Sequence, residues 1–130
     1  MIRVVLDTNI IVSALMSSLG NPARVLALYL DEKFQIYYSD EILAEYEDVL
    51  SRPALNIEPE KKNRFIMILR ETGTLIEPAT SAVTLPDESD RVFYDTAKES
   101  DAILITGNIK HYPEESFIMT PRQFLEAHGL

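Results

Sequence analysis

Short apolar runs alternate with amphipathic segments along most of this sequence. Residues 2–6 form a nearly continuous, β-branched run, which is typical of a strand covered on both faces. Similar strand-like runs occupy residues 34–38, 74–77, 102–106 and 117–119. Helical periodicity predicts helices over residues 9–17, 22–31, 40–50, 59–71 and 88–100, with a last helix after Pro121. This alternation predicts an α/β fold with a parallel sheet flanked by helices, in one domain that spans residues 1–130.

The composition is that of a globular protein, with 46% hydrophobic and 25% charged residues among 130. Cysteine is absent, which excludes disulfide scaffolds, thiolate metal sites and thiol catalysis. The longest uncharged run, residues 8–23, is too short and too polar to predict a membrane span. Because Asp7 interrupts the apolar start, no secretory signal is expected, and a cytoplasmic location is the hypothesis.

The formal net charge of −9 is concentrated in two segments. Residues 40–48 hold five acids and no base, residues 87–101 hold six acids and two bases, and the remainder is neutral. The two segments are either two solvated helix faces or two acidic walls of one site. The dense basic cluster Lys61, Lys62 and Arg64 is either a contact for RNA or ordinary helix surface.

Asp7 and Asp90 are the first candidate site residues. Asp7 directly follows the first predicted strand, and parallel sheets bind ligands beyond the carboxyl ends of their strands. Its alternative role is to cap the next helix. Asp90 borders the inward face of the helix predicted over residues 88–100, with Glu88, Asp95 and Glu99 on the opposite side. Its alternative role is to complete a capping box with Asp87.

Two further segments offer candidate polar groups, and each leaves two interpretations open. Glu45 and Glu47 border the buried stripe of the helix 40–50 on opposite edges, and helical geometry does not choose between them. Thr106-Gly107-Asn108 follows a predicted strand and is either part of a site or an ordinary turn. Converging carboxylates in a chain without cysteine indicate a hard cation such as Mg²⁺ or Mn²⁺. Such a metal centre favours phosphodiester hydrolysis.

Four short motifs, taken in their order along the chain, resemble the PIN-domain family, and within it the small prokaryotic toxin ribonucleases of the VapC type. The motifs are Asp7-Thr8-Asn9, the segment from Ser39 to Glu45, Asp90 with Ala97 seven residues later, and Ile105 to Asn108. The resemblance covers nearly the whole chain. It implies a three-layer α/β/α sandwich around a mainly parallel sheet, with an acidic Mg²⁺ or Mn²⁺ site that cleaves RNA.

The resemblance also assigns roles to individual residues. It implies that Asp7, Glu45 and Asp90 bind metal, which favours Glu45 over Glu47. Thr8 and Asn9 would brace the site, and Thr106 would lie at its rim. Many members of the family carry a fourth acid where this chain has Asn108, whose amide oxygen can assist a cation without supplying charge. Asp87 is a further, weaker candidate for that missing charge, at about 60° from Asp90 on the helical wheel.

The leading hypothesis is a divalent-metal-dependent endoribonuclease that acts as the toxin of a toxin–antitoxin pair. RNA would be its substrate and an antitoxin protein its partner, and the resemblance suggests a homodimer. The alternative is a weakly active or inactive PIN-like module that binds another protein. A metal phosphatase with an Asp-x-Asp motif is disfavoured because Thr8 and Asn9 follow Asp7. Motifs for dinucleotides, nucleoside triphosphates and serine hydrolases are absent.

Overall fold

The computed structural model describes residues 1–130 and contains one five-stranded sheet. Its strands are β1 (Arg3–Leu6), β2 (Gln35–Tyr38), β3 (Thr74–Leu75), β4 (Ile103–Ile105) and β5 (Ile118–Met119). They lie in the order β3-β2-β1-β4-β5, and every neighbouring pair is parallel. Parallel strands need long crossover connections. α-Helices supply them between β1, β2, β3 and β4, whereas residues 106–117 connect β4 to β5 with a single 3₁₀ turn. The prediction of a parallel sheet is therefore confirmed.

Six helices flank the sheet. They are α1 (Thr8–Met16), α2 (Asn21–Leu30), α3 (Asp40–Leu50), α4 (Pro59–Thr72), α5 (Arg91–Glu99) and α6 (Pro121–Ala127). Single 3₁₀ turns occupy Pro53–Leu55, Glu88–Asp90 and Ile109–His111. The architecture confirms the predicted α/β class with helices around a central sheet. None of the six helices is by itself long and apolar enough to cross a membrane; α1 and α2 pass that test only as a pair, which is bent by 95°.

The strand order fixes where a ligand crevice forms. From β1 the chain steps outward to β2 and β3, and it then returns to the other side of β1 to form β4 and β5. Open parallel sheets bind ligands at this kind of reversal, outside the carboxyl ends of the strands. Asp7 directly follows β1 and Thr106 directly follows β4, so the two residues lie on either side of the reversal.

Aromatic and branched side chains fill the space between sheet and helices. The largest fully buried side chains include Phe34, Tyr46, Phe93, Tyr94 and Phe124. Burial of one such side chain contributes about 1.5–3 kcal/mol.

Local signals set the ends of several helices. At Gly73, where α4 ends, a Cβ atom would lie 2.6 Å from the carbonyl oxygen of Leu69, so glycine is required by the close approach. Ser39 caps α3, because its hydroxyl accepts a hydrogen bond from the backbone N–H of Ile42 (3.2 Å). These two ends fix the start of α3 and the junction between α4 and β3.

Two predictions around α5 were wrong. The helix predicted over residues 88–100 begins only at Arg91, because Glu88–Asp90 forms a separate 3₁₀ turn. Asp95 was expected on the solvated side of this helix, but it is only 5% exposed. The reason is that the segment before the turn covers α5, and the backbone N–H of Ser81 donates to Asp95 Oδ2 (3.2 Å). Elsewhere in the chain, the strand predicted over residues 74–77 is shorter than expected and spans only Thr74–Leu75.

Candidate active site

Asp7 lies buried at the carboxyl end of β1, with one oxygen held by two hydroxyl groups. Its Oδ2 accepts hydrogen bonds from Thr106 Oγ1 (2.8 Å) and Tyr112 Oη (2.9 Å). Its Oδ1 accepts none, although the residue occupies the N-cap position of α1. The capping role that the sequence left open is therefore not the one the side chain performs, and Oδ1 remains free for a ligand.

The two glutamates of α3 point to different partners. Glu45 is half-buried and accepts a hydrogen bond from Thr8 Oγ1, one residue after Asp7. Glu47 instead forms an ion pair with Arg70 (2.9 Å) on the side of α4. The structure therefore brings Glu45, and not Glu47, to the start of α1. Geometry and resemblance agree on the position of Glu45, whose role stays a prediction.

Asp90 lies at the junction of the 3₁₀ turn and α5, with its side chain 15% exposed. Its Oδ2 is buried and has no hydrogen-bond partner, and the imidazole of His111 lies nearby, with Nδ1 at 3.5 Å. Asp87 does cap the turn, because its Oδ1 accepts from the backbone N–H (3.0 Å) and the hydroxyl (2.8 Å) of Ser89. Asp90 does not complete a capping box, and its carboxylate is left uncompensated.

Electrostatic repulsion links the three carboxylates. Burial first, and then the charges of Asp7 and Asp87, raise the pKa of Asp90 to about 6 against the opposing effect of His111. Burial also raises the pKa of Glu45; the hydrogen bond from Thr8 opposes this effect, and the charge of Asp7 adds to it. Carboxyl groups with raised pKa values in one cleft are typical of functional sites.

A cleft of about 550 Å³ opens above these residues. The predicted site residues that line it are Asp7, Thr8, Asn9, Asp87, Asp90 and Asn108. Glu45 reaches the wall of the cleft through its contact with Thr8. Asp7 and Asp90 thus line the cleft directly, whereas Glu45 contacts it only through Thr8.

The donors fit a hard cation, but they are not preassembled into a complete coordination shell. Nowhere in the structure do three Asp, Glu or His side chains lie close enough together to share one ion. The observation that favours a cation is the buried, unpartnered Oδ2 of Asp90 in the same cleft as Asp7; Asp95 Oδ1 is also buried and unpartnered, but it lies outside the cleft. A bound cation would compensate this oxygen and reduce the repulsion from Asp7 and Glu45.

Residues after β4 brace the cleft. Asn9 Oδ1 accepts a hydrogen bond from the backbone N–H of Gly107 (2.9 Å), which ties the start of α1 to the exit of β4. The backbone N–H of Asn108 donates to Thr106 Oγ1 (3.0 Å). Thr106 is fully buried, so it lies beneath Asp7 and not at the rim that the resemblance implied. Asn108 is exposed on the cleft wall.

Sequence reasoning missed two tyrosines that contact the site. Tyr112 donates to Asp7, and burial together with the charge of Asp7 raises the pKa of its hydroxyl. Tyr46 was assigned only to the core, but its hydroxyl also donates to the carbonyl oxygen of Leu6, at the end of β1. No pattern marks Tyr112 in the sequence, because it lies in an irregular segment without periodicity.

The predicted basic cluster does not form one patch. Lys62 donates a hydrogen bond to Ser51 Oγ, near the carboxyl end of α3. Arg64 lines a different groove, with Tyr29 and Ile68. The permanent cation that lines the carboxylate cleft is Arg52, which the sequence did not single out.

The fold and the site together define an α/β protein whose candidate carboxylates lie where the strand order of a parallel sheet reverses. A model of the PIN domain family matches residues 3–110, so the chain belongs to the PIN-domain family. It is also 34% identical over 140 residues to an uncharacterized protein of Methanocaldococcus jannaschii, an alignment that covers 96% of this chain and 90% of the relative. PIN domains are nucleases as a class, so the family indicates a hydrolase of nucleic acid.

Proposed function

We propose that this protein is a divalent-metal-dependent endoribonuclease. The observation that carries the proposal is the buried oxygen of Asp90 that lacks a hydrogen-bond partner, in the same cleft as the free Oδ1 of Asp7. Uncompensated carboxylates are costly to a folded protein, and they persist where a ligand completes them. Membership of the PIN-domain family supports a nucleic acid as the substrate.

Asp7, Glu45 and Asp90 would hold the cation, which we take to be Mg²⁺ or Mn²⁺, with the amide oxygen of Asn108 assisting. Carboxylate and amide oxygens suit both ions. When bound, such a cation supplies hydroxide near neutral pH and offsets the charge that develops on a phosphodiester. The family resemblance suggests products with a 3′-hydroxyl and a 5′-phosphate.

The other residues of the cleft position these carboxylates. Thr106 and Tyr112 fix Oδ2 of Asp7, so that Oδ1 alone faces a ligand. Thr8 orients Glu45, and Asn9 holds the loop after β4 through Gly107. Hydrogen bonds of this kind fix the orientation of metal-binding side chains and tune their affinity.

The finer proposal is that the protein is the toxin of a toxin–antitoxin pair in the cytoplasm, with an antitoxin protein as its partner and a homodimer as its assembly. This proposal is supported by the resemblance to VapC-type proteins. Induced expression in bacteria tests it: we expect growth arrest with the native chain and normal growth with Asp7→Asn at equal protein levels. Equal growth of both strains would count against a toxin.

Cleavage of RNA by the purified protein tests the enzymatic proposal. We expect cleavage that requires Mg²⁺ or Mn²⁺ and that falls at least about 1,000-fold in Asp7→Asn and Asp90→Asn. The matched control is Asp95→Asn, which removes a buried carboxylate from α5 outside the cleft and should retain cleavage. Equal residual cleavage in all four proteins would identify a contaminating nuclease.

A second candidate function is a weakly active or inactive module that binds another protein. Two observations favour it: Asn108 replaces an acid, and no three acidic or histidine side chains form a ready-made ligand set. The same assay decides between the candidates, because a module predicts no metal-dependent cleavage by the native chain.

A further inference from the structure

A groove continues the carboxylate cleft along the edge of the sheet. The cleft and a neighbouring groove of about 440 Å³ share three lining residues, Asn9, Ser13 and Asn108. The groove extends past the ends of β4 and β5 to Thr120 and Arg122 at the start of α6. Cleft and groove therefore form one trough over the carboxyl ends of β1, β4 and β5.

The charge along this edge is strongly asymmetric. No carboxylate lines the groove beyond the cleft, and Arg122 is its charged residue. Beyond the ends of β2 and β3, by contrast, a cavity of about 430 Å³ is lined by five acids and one base. This acidic cavity is lined by Asp40, Glu41, Glu77, Glu88, Asp95 and Arg91. A polyanion that leaves the cleft is repelled on the β2–β3 side and accepted on the β4–β5 side.

Two arginines lie at opposite parts of the trough. Arg52 lines the carboxylate cleft and forms an exposed ion pair with Asp48 (3.1 Å). Arg122 lines the groove and forms an exposed ion pair with Glu126 (3.0 Å). Exposed pairs of this kind contribute only about 0–1 kcal/mol, so a phosphate can replace either carboxylate. Guanidinium groups bind phosphate with two parallel hydrogen bonds.

We propose that a single strand of RNA lies in this trough, from Arg52 across the carboxylates to Arg122, and away from the acidic cavity. The inference rests on the proposed ribonuclease function and adds the path of its substrate. Arg52 and Arg122 bind phosphates on either side of the carboxylates. The uncharged side chains of Asn9, Ser13 and Asn108 contact the nucleotides between them. A protein of net charge −9 thus binds RNA through local cations and a neutral surface.

The first experiment measures binding of a fluorescent single-stranded RNA of about 10 nucleotides by anisotropy, in buffer with a chelator to prevent metal-dependent cleavage. We expect Arg52→Ala and Arg122→Ala each to weaken binding about tenfold at low salt and to reduce the salt slope by about 0.7. Arg70→Ala is the matched control, because Arg70 is 59% exposed and Arg52 60%, and both pair with a carboxylate of α3. Losses no larger than that of the control would overturn the proposal.

A second pair of variants tests the place where the cleft and the groove meet. Ser13 is exposed where cleft and groove meet, and Ser18 is exposed in the loop after α1, outside both. Ser13→Glu and Ser18→Glu add the same charge, so a general electrostatic effect changes both equally. We expect Ser13→Glu to weaken RNA binding and to raise the KM for cleavage at least about fivefold relative to Ser18→Glu, with kcat little changed. Equal effects would overturn the path.

Binding and cleavage together separate this inference from the proposed function. RNA binding that depends on Arg122 and Ser13, without metal-dependent cleavage, supports the path and overturns the ribonuclease. Cleavage that is insensitive to both positions overturns the path and leaves the ribonuclease standing. Failure of the native protein to bind the RNA overturns the path, and cleavage then decides the function separately.

Discussion

Two acidic regions at the same edge of the sheet differ in how their carboxylates are compensated. The acidic cavity contains more carboxylates than the carboxylate cleft, but Arg91 lies among them, and the backbone N–H of Ser81 donates to Asp95 Oδ2, although Asp95 Oδ1 is buried without a hydrogen-bond partner. In the cleft, Asp90 Oδ2 has no hydrogen-bond partner and Asp7 uses only one oxygen. A count of acids alone would therefore favour the cavity over the cleft as the candidate site.

Glu88 and Asp90 show this difference within one turn. The side chain of Arg91 donates two hydrogen bonds to Glu88, and these bonds lower the pKa of the Glu88 carboxyl. The pKa of Asp90 is instead raised to about 6, mainly by burial and then by the charges of Asp7 and Asp87, which His111 offsets only in part. The pKa values of these two acids therefore shift in opposite directions, although the residues are only two positions apart. This contrast indicates that the presence of a partner for the carboxylate, and not the density of charge, distinguishes a structural acid from a candidate ligand.

The largest effect expected outside the cleft is on the network around Arg91. Its guanidinium donates to the carbonyl oxygens of Ser81 (2.9 Å) and Val83 (2.5 Å), and its side chain is only 18% exposed. Arg91→Ala should lower the free energy of unfolding by about 2–3 kcal/mol, because it leaves these acceptors and Glu88 without their donor. Urea unfolding measures the loss, and hydrogen exchange locates it in residues 79–85.

Arg122→Ala is the control for this prediction, since Arg122 is 78% exposed and should change stability by less than about 0.5 kcal/mol. Arg91→Lys should restore little, because an ammonium group cannot reproduce the planar fork of the guanidinium. An Arg91→Ala protein as stable as the control would show that the cavity acids need no compensation, and the contrast with the cleft would disappear.

Periodicity predicted the α/β class and the order of the elements, because burial on one helix face or both strand faces leaves a local pattern. It failed where distant segments decide burial. Asp95 lies on the expected outer face of α5, yet residues 76–86 cover it, and no periodicity in α5 reports that cover. The helix begins later than predicted for a related reason, since the Asp87 cap closes a 3₁₀ turn before α5 begins.

The position of the site was predictable because the carboxyl ends of parallel strands converge, and Asp7 directly follows β1. The residues that surround Asp7 in the folded chain were not predictable in the same way. Tyr112 reaches Asp7 from 105 positions later in the chain, two residues beyond the segment that matches the family model. Arg52 reaches the cleft from the turn after α3. Contacts between irregular segments carry no periodic signal, so only the folded chain shows them.

A smaller effect is expected from the Tyr112 hydroxyl. Tyr112→Phe keeps the buried ring and removes one of the two hydrogen bonds to Oδ2 of Asp7. We expect Mn²⁺ affinity, measured by calorimetry, to fall about tenfold, because Asp7 is then less firmly oriented. Tyr94→Phe is the control: Tyr94 is also buried, but its hydroxyl donates to Glu115 (3.3 Å), outside the cleft. Equal Mn²⁺ affinities in the two variants would show that Tyr112 has only a packing role.

The smallest effect expected is a gain in stability from Asp90→Asn, and its sign depends on pH. Folding raises the pKa of Asp90 from 3.8 to about 6, so the folded state holds the proton more tightly than the unfolded chain. The cost of the charged carboxylate is absent below about pH 4, grows between about pH 4 and 6, and is complete above that range. Without metal, Asp90→Asn should therefore be about 1–2 kcal/mol more stable than the native protein near pH 7.5 and nearly equal to it near pH 4.

Asp95→Asn is the comparison variant for this prediction, because Asp95 Oδ2 accepts a hydrogen bond from Ser81, although its buried Oδ1 has no partner. Removal of its charge also removes an attraction to Arg91, so we expect no gain in stability at either pH. Urea unfolding of both variants with a chelator present, at the two pH values, measures the difference. If Asp90→Asn were less stable than the native protein near neutral pH, its carboxylate would be compensated within the fold. The cleft would then resemble the cavity, and the observation that favours a bound cation would be lost.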